Sequence, residues 1–190
     1  DLGEQNSAGL GDIILGLGDC SFEAGRLKAA STYYRQALTI YEKMSGPYHP
    51  GANPKVLFAL HALGRCLLKA GRAEEAEVSF RRVLIATAAD EEGVAGACDI
   101  HPLVASTYDL LARCAMDEGR TEEALGLLRR ALKIRQDNLG KDHLQVALNL
   151  YKLGRVLFDD GRLFEAEQSL ERALTIQETK LDDGHPDLVS

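Results

Sequence analysis

A Gly-Arg pair that recurs four times constrains the fold of this chain more than any other feature. Each pair is preceded and followed by similar stretches, as in LGRCLLKAGRAEEAEVSF and LGRVLFDDGRLFEAEQSL. Internal repetition at a period of a few tens of residues is typical of arrays in which similar units stack on one another. The pairs lie at intervals of 46, 48 and 42 residues, at Gly25-Arg26, Gly71-Arg72, Gly119-Arg120 and Gly161-Arg162.

Each repeat carries two helical patterns, one on either side of its glycine. In the fourth copy, Leu150, Leu153, Gly154 and Leu157 have the i, i+3, i+4, i+7 spacing of one helix face. Glycine just past a helix C-terminus is typical of a turn that needs a left-handed backbone. A single helix pair cannot bury its own apolar stripe, so neighbouring pairs must stack. The sequence therefore predicts an all-α fold, a right-handed α-solenoid of antiparallel helix pairs.

The repeats are predicted to form one array over residues 1–190. Pro54, Pro102 and Pro186 mark expected first turns of helices, because the missing N–H of proline has no partner there in any case. The fourth copy lacks this proline, and Asp142 to Gln145 is predicted to form a capping box instead. Residues 86–100, rich in Gly, Ala and acidic residues, are expected to form a long exposed loop.

The expected boundaries follow from these signals. The repeats are expected at about 10–44, 54–88, 102–138 and 143–180. Residues 185–190 are expected to start a truncated further repeat, so that the chain is a segment of a larger polypeptide. The eight helices are expected, to within about 2–4 residues, near 10–23, 27–44, 54–70, 73–88, 102–118, 121–138, 143–160 and 163–180.

Small and bulky residues recur at fixed offsets around each glycine, and these columns carry a family resemblance. They resemble the tetratricopeptide repeat (TPR). The longer interval, together with the linker phrases GPYHP, CDIHP, LGKDHL and DDGHP, is similar to the kinesin-light-chain type of repeat. The columns are the small residues Gly18, Gly64, Ala112 and Gly154, the alanines Ala30, Ala76, Ala124 and Ala166, and the bulky residues Tyr34, Phe80, Leu128 and Leu170.

The resemblance implies a function as well as a fold. It implies a non-enzymatic protein-interaction module, a scaffold that docks a partner peptide or helix in a concave groove lined by the first helix of each repeat. It also implies an alternative, a regulatory or sensor segment of a larger signalling NTPase, because similar arrays occur attached to such domains. A nucleotide-binding domain in the flanking sequence would favour the alternative.

The charge balance argues against two classes of partner. The chain carries 22 Lys+Arg against 29 Asp+Glu, a formal net charge of −7, whereas binders of nucleic acid or anionic membranes need a positive field. No apolar run approaches the roughly 18 residues of a membrane span. The expected partners are a protein or peptide and the rest of the same polypeptide, with no nucleic acid and no membrane.

Four histidines recur near the linkers and could be mistaken for a metal-ligand set. Equivalent side chains of successive repeats lie about 8–10 Å apart, whereas zinc needs ligands at about 2 Å. Capping of the linkers is therefore favoured over a metal site. These histidines are His49, His101, His143 and His185.

The cysteines are also better explained by packing than by chemistry. Cys20, Cys66 and Cys114 share one column that holds Val156 in the fourth copy, so burial as small apolar side chains is favoured over a redox role. Cys98 lies in the expected loop. Because there is no C-x-x-C pair, the chain is predicted to be cytoplasmic with reduced thiols. No phosphate-binding loop, H-E-x-x-H motif or Ser-His-Asp order is present, so we expect no catalytic residue and no cofactor.

The candidate binding residues lie on the first helix of each repeat. Arg65, Arg113 and Arg155 each stand one position after the small residue, and Lys69 follows Arg65 by one turn. Arginine forms paired hydrogen bonds with carboxylates and phosphates, which favours a partner with acidic residues. The alternative is intrahelical pairing, because Arg113 and Arg155 each have an aspartate at i+4. Arg65 has Lys69 there instead.

Apolar and aromatic residues flank this arginine column. Leu68 and Phe158 stand three positions after it, and His61 and Tyr151 one turn before it. Such side chains would anchor a bound peptide or helix, with packing against the next repeat as the alternative. The predicted groove residues are His61, Arg65, Leu68, Lys69, Arg113, Tyr151, Arg155 and Phe158.

Overall fold

The structure, a computed structural model, describes residues 2–45, 53–88 and 101–182. These ranges form eight helices and no strand, which confirms the prediction of an all-α fold of helix pairs. The helices are α1 Leu2–Glu23, α2 Leu27–Ser45, α3 Pro54–Lys69, α4 Ala73–Ala88, α5 His101–Asp117, α6 Thr121–Leu139, α7 Leu144–Asp159 and α8 Leu163–Asp182.

The chain divides into two compact units, residues 1–114 and residues 115–190. In the first unit, α1 packs on α2, α2 on α3 and α3 on α4. The largest fully buried side chains there include Tyr34, Tyr41 and Phe80. In the second unit, α6 packs on α7 and α7 on α8, and a core cluster includes Val146 and Ile176. The single array over residues 1–190 stays a prediction.

The Gly-Arg pairs form the turns within the helix pairs. Gly25, Gly71, Gly119 and Gly161 have φ between +73° and +79°, a left-handed conformation that glycine adopts without steric cost. The following arginine N–H donates to a carbonyl five residues earlier, as Arg72 N does to Leu67 O at 2.9 Å. This is the Schellman motif, and it explains why the glycine recurs.

Substitution of Gly71 should test this requirement. We expect Gly71→Ala to lower the free energy of unfolding by about 1–2 kcal/mol, the cost of a left-handed L-residue, as measured by urea unfolding. The matched control is Gly126→Ala inside α6, where an added Cβ meets nothing within 4 Å. That variant should gain about 0.5–1 kcal/mol, because alanine favours a helix over glycine. Equal effects of the same sign would contradict the turn's need for glycine.

The small residues of the first helices allow close helix crossings, as predicted. A Cβ added at Gly64 would lie 2.5 Å from the ring of Phe80, and one added at Gly18 would lie 2.6 Å from the ring of Tyr34. Real Cβ atoms do not approach ring carbons this closely, so only glycine fits without a shift of the ring. The sequence analysis missed a further crossing, in which Gly11 lies under Tyr41 in the same way.

One helix bound differs from the predictions. α1 begins at Leu2 and not near residue 10, because residues 2–9 contain no proline to stop a helix. α4 ends at Ala88 as predicted, so the first three residues of the expected loop 86–100 belong to this helix. Residues 89–100, including Cys98, lie outside the described residues. So do His49, His185, Pro186 and the expected restart at 185–190.

The helix starts are capped by different groups. Asn53 caps α3, where its Oδ1 accepts from Lys55 N at 3.0 Å and Pro54 takes the first helical position as predicted. The predicted capping box at Asp142 is wrong. His143 caps α7, since its Nδ1 accepts from Gln145 N at 3.1 Å, while Asp142 forms an ion pair with Arg172.

The cysteine column is buried at two of its three positions. Cys66 and Cys114 are buried, as predicted, but Cys20 is exposed. Cys66 Sγ lies 3.3 Å from Leu27 O of α2, the second helix of the preceding repeat. The column therefore faces the preceding repeat, and nothing in the described residues covers that side of α1. The prediction of burial is wrong for Cys20.

Candidate functional site

The structure separates the predicted groove residues into an exposed and a buried group. Arg65, Lys69 and Arg113 in the first unit are exposed, as are Tyr151, Arg155 and Phe158 in the second. His61 and Leu68 are buried, with exposed fractions of 8% and 7%. The exposed side of α1, α3 and the part of α5 that lies in the first unit is called the first-helix face below.

Phe22 of α1 brings two of the predicted cations together. The guanidinium carbon of Arg65 lies 5.2 Å from the centroid of the Phe22 ring, and Lys69 Nζ lies 4.6 Å from it. Both distances allow a cation–π interaction. Phe22, Arg65 and Lys69 are called the cationic patch below. Arg65 and Lys69 belong to the second repeat, whereas Phe22 belongs to the first.

The nearby carboxylates of α1 are engaged by other partners. Asp19 Oδ1 accepts from Tyr34 Oη at 2.8 Å. Asp12 accepts from Tyr41 Oη at 2.7 Å and from Lys55 Nζ at 2.7 Å, and these bonds, that of Lys55 above all, lower the pKa of Asp12. The hydrogen bonds to tyrosine, which the sequence analysis missed, hold these acids against α2 instead of against Arg65.

Most arginines outside this face form ion pairs. Arg35 and Arg82 pair with Glu75 and Glu42 and so link α2 to α4. In the second, third and fourth repeats the arginine of the Gly-Arg pair contacts a glutamate three residues later, and the sequence spacing could have predicted this. The pairs are Arg72–Glu75, Arg120–Glu123 and Arg162–Glu165.

The cations of the first-helix face differ in this respect. In the described part of the first unit, Arg65, Lys69 and Arg113 have no carboxylate oxygen within 4.0 Å. Intrahelical pairing of Arg113 with Asp117 is therefore not formed. These three cations are therefore not neutralised by a close carboxylate among the described residues, on a chain of net charge −7.

His61 lies in the core under this face. Its Nδ1 is 3.1 Å from Thr107 Oγ1 of α5, and its ring meets the Phe80 ring edge-on at 5.9 Å between centroids. Burial, together with the positive charge of Arg65, lowers the pKa of His61 to about 4. This histidine serves packing and is not accessible to a ligand, and the same holds for the buried Leu68.

The second unit offers a different surface on α7. Tyr151 and Phe158 have exposed fractions of 46% and 61%. Arg155 hydrogen-bonds to Tyr151, and this bond, with the nearby charge of Asp159, raises the pKa of the guanidinium. Arg155 is thus held within its own helix, unlike Arg65.

Across the described ranges, no three His, Cys, Asp or Glu side chains come together in a way that could hold a metal ion. None of the helices described has the length and apolarity needed to cross a membrane.

Comparisons with solved structures identify the same architecture elsewhere. The nearly identical TPR-like repeats of a kinesin light chain protein from Podosopora anserina match with 23% identity and a TM-score of 0.74, over 95% of this chain and 80% of that one. BtubC (BKLC) from P. vanneervenii matches with 23% identity and a TM-score of 0.75, over 95% of this chain and 68% of that one. Both likenesses confirm the α-solenoid fold class and the kinesin-light-chain-like repeat type.

A third neighbour is a Rap protein in complex with Competence and Sporulation Factor. It matches with 16% identity and a TM-score of 0.71, over 93% of this chain and 45% of that one. Comparison with curated proteins gives no match. The family model of the tetratricopeptide repeat matches residues 10–84 and 103–188. The chain belongs to the tetratricopeptide repeat family.

Proposed function

We propose that this chain is a non-enzymatic protein-interaction module that docks a peptide or helix of a partner on its first-helix face. The observation that carries the proposal is the cationic patch, in which Arg65 and Lys69 share the Phe22 ring and have no carboxylate partner among the described residues. Solved structures with the same fold support the binding of a partner in general. Rap proteins occur in complexes with Competence and Sporulation Factor and with the Phr* peptide.

The chemistry of the cationic patch favours a partner segment that carries Asp or Glu. Arginine offers a planar pair of donors to a carboxylate, and lysine adds a compact charge beside it. Contact with the Phe22 ring restricts both side chains before binding, so less rotamer entropy is lost when a ligand is captured. Arg113, also without a carboxylate partner in the described residues, would extend the same charge along the partner.

The second unit offers apolar anchors of its own. Tyr151 and Phe158 are large and exposed on α7, and aromatic side chains are the residues that most often dominate binding energy at interfaces. Arg155, held by Tyr151, would fix the orientation of that ring. These three residues are therefore proposed to bind the partner mainly through apolar contact.

The setting of the module also remains a proposal. We expect it to act in the cytoplasm as part of a larger polypeptide, with a protein or peptide as partner, and with neither nucleic acid nor membrane. The alternative, a regulatory or sensor segment of a signalling NTPase, stays a prediction that the described residues do not test.

Selection from a displayed library of random peptides should test the proposed partner chemistry. Peptides selected on the whole chain should be enriched in Asp and Glu, and Arg65→Ala should weaken their binding by about 1.5–3 kcal/mol, the range for hydrogen bonds to charged groups. Calorimetric titration would measure this difference. The melting temperature at neutral pH should scarcely change, because an exposed charge contributes little to folding.

Arg81→Ala is the matched control. Arg81 is an exposed arginine on α4 that pairs with Glu77 of its own helix, so its removal makes the same change in net charge away from the first-helix face. Peptide affinity should not change. Enrichment without acidic residues, or an equal loss for both variants, would refute capture of a carboxylate at Arg65.

A further inference from the structure

An apolar stripe on α1 is exposed although its counterparts in α3 are buried. The exposed fractions are 52% for Leu10, 65% for Ile13 and 46% for Leu17, and Cys20 is also exposed. These four residues are called the α1 stripe. The same register in α3 holds Val56, Ala59, Leu63 and Cys66, with exposed fractions of 0–6%.

In α3 and α7, counterparts of the α1 stripe contact the second helix of the preceding repeat. In the first unit α2 packs on α3, and Cys66 Sγ contacts Leu27 O of α2. In the second unit α6 packs on α7, and Arg135 of α6 donates to the buried Asn149, which has the register of Ile13. The α1 stripe therefore has the shape and chemistry to receive a second helix of this repeat type.

This chain exposes such a helix in α8. Leu163, Leu170 and Leu174 line an apolar depression together with Phe158, and these three leucines are called the α8 face. Leu174 has the register of Leu38 in α2, yet its exposed fraction is 54% where that of Leu38 is 7%. Leu38 lies on α2, which packs on α3 in the first unit, whereas the described residues contain no helix after α8.

We propose that two copies of this chain associate head to tail, with the α8 face of one copy packed on the α1 stripe of the other. The chain carries both halves of a joint that it already forms internally between α2 and α3. The charges agree with this arrangement, in which α8 takes the place of α2 and α1 of the second copy takes the place of α3. Arg155 beside the α8 face would stand next to the second copy's Asp19, just as Asp19 and Arg65 both lie near Tyr34 in the internal joint.

The joint pairs two different surfaces, so it does not close on itself as a twofold dimer does. A dimer with one joint still has one unused α1 stripe and one unused α8 face, so further copies can add. Glu167 and Glu171 border the α8 face, and partial burial of a carboxylate costs free energy. We therefore expect association in the micromolar range, independent of the cationic patch.

Sedimentation velocity of the full chain at rising concentration tests the proposal. The wild type should form dimers and longer oligomers. Leu17→Glu and Leu174→Glu should each weaken self-association by at least about tenfold, since each places a charge in one half of the joint. An equimolar mixture of the two variants should restore association but stop at a dimer, because only one intact joint is available. Ile85→Glu, at an exposed apolar position on α4, should behave as the wild type.

Two results would overturn the proposal. One is a wild type that remains monomeric at every concentration, and the other is Leu174→Glu that still dimerises, which would indicate contact between two α1 stripes. Cys20 gives a second measurement that does not depend on the folding of Leu17→Glu. Its rate of thiol modification, followed by peptide mass spectrometry, should fall at least about tenfold as the wild type concentration rises. A rate that is independent of concentration would also refute the joint.

Discussion

Replacing Phe80 with alanine should lower the free energy of unfolding by about 3–5 kcal/mol, the usual range for a fully buried phenylalanine. The ring of Phe80 is completely buried and fills the space above Gly64, where a Cβ would lie 2.5 Å from it. It also meets the ring of His61 edge-on. Since Gly64 has no side chain that could move into the cavity, little of the loss can be recovered by relaxation. Urea unfolding followed by circular dichroism would measure the change.

Phe58→Ala provides the matched control for this substitution. Phe58 lies on α3 with an exposed fraction of 50%, so the same atoms are removed from a site that is half in water. We expect a loss below about 1.5 kcal/mol. Equal losses for the two variants would show that the crossing at Gly64 is not closely packed, and that the glycine column has another cause.

The fold could be predicted because the sequence pattern of each contact recurs in several repeats. A single glycine in an amphipathic helix does not identify a helix crossing, but a glycine at the same offset before three Gly-Arg turns indicates one. The left-handed turn glycines and the helix crossings both follow this logic. Asp142 had no counterpart in the other copies that could correct its assignment, and the capping box predicted from it was wrong.

Repetition also explains the error at Cys20. Sequence columns treat all copies as equivalent, but burial depends on what lies beside each copy. Cys66 has α2 against it, whereas Cys20 has no described helix in that position. The identity of a residue therefore predicted the face to which it belongs, but not whether that face is covered.

The candidate site was less predictable than the fold because it depends on contacts between repeats. The spacing placed Arg65 and Lys69 on one helix face, but their position over the Phe22 ring depends on how α1 and α3 pack. The sequence analysis likewise placed Asp19 opposite Arg65, whereas Asp19 hydrogen-bonds to Tyr34. His61 was expected in the groove and is buried, because its face of α3 meets α5 through Thr107.

The burial of His61 should make stability depend on pH. Its pKa is about 4 in the folded chain against 6.5 when unperturbed, so below pH 6.5 the unfolded state binds a proton that the folded state does not. The free energy of unfolding should therefore be highest above pH 6.5 and fall as the pH drops towards 4, by about 3 kcal/mol in total from this residue. His61→Gln keeps a donor for Thr107 but does not titrate. The difference in stability between wild type and His61→Gln, measured by urea unfolding across this range, should follow that fall.

Two further variants separate the causes of the lowered pKa. Thr107→Val removes the hydrogen bond but leaves His61 buried, so it should cost about 1 kcal/mol at neutral pH and retain the pH dependence. Arg65→Ala removes the cation that opposes protonation of the ring, so the pKa should rise and the fall in stability should become smaller. A difference between wild type and His61→Gln that stays constant with pH would show that the folded chain protonates His61 as readily as the unfolded chain. The imidazole would then have to reach water, and the first-helix face would be open at His61 after all.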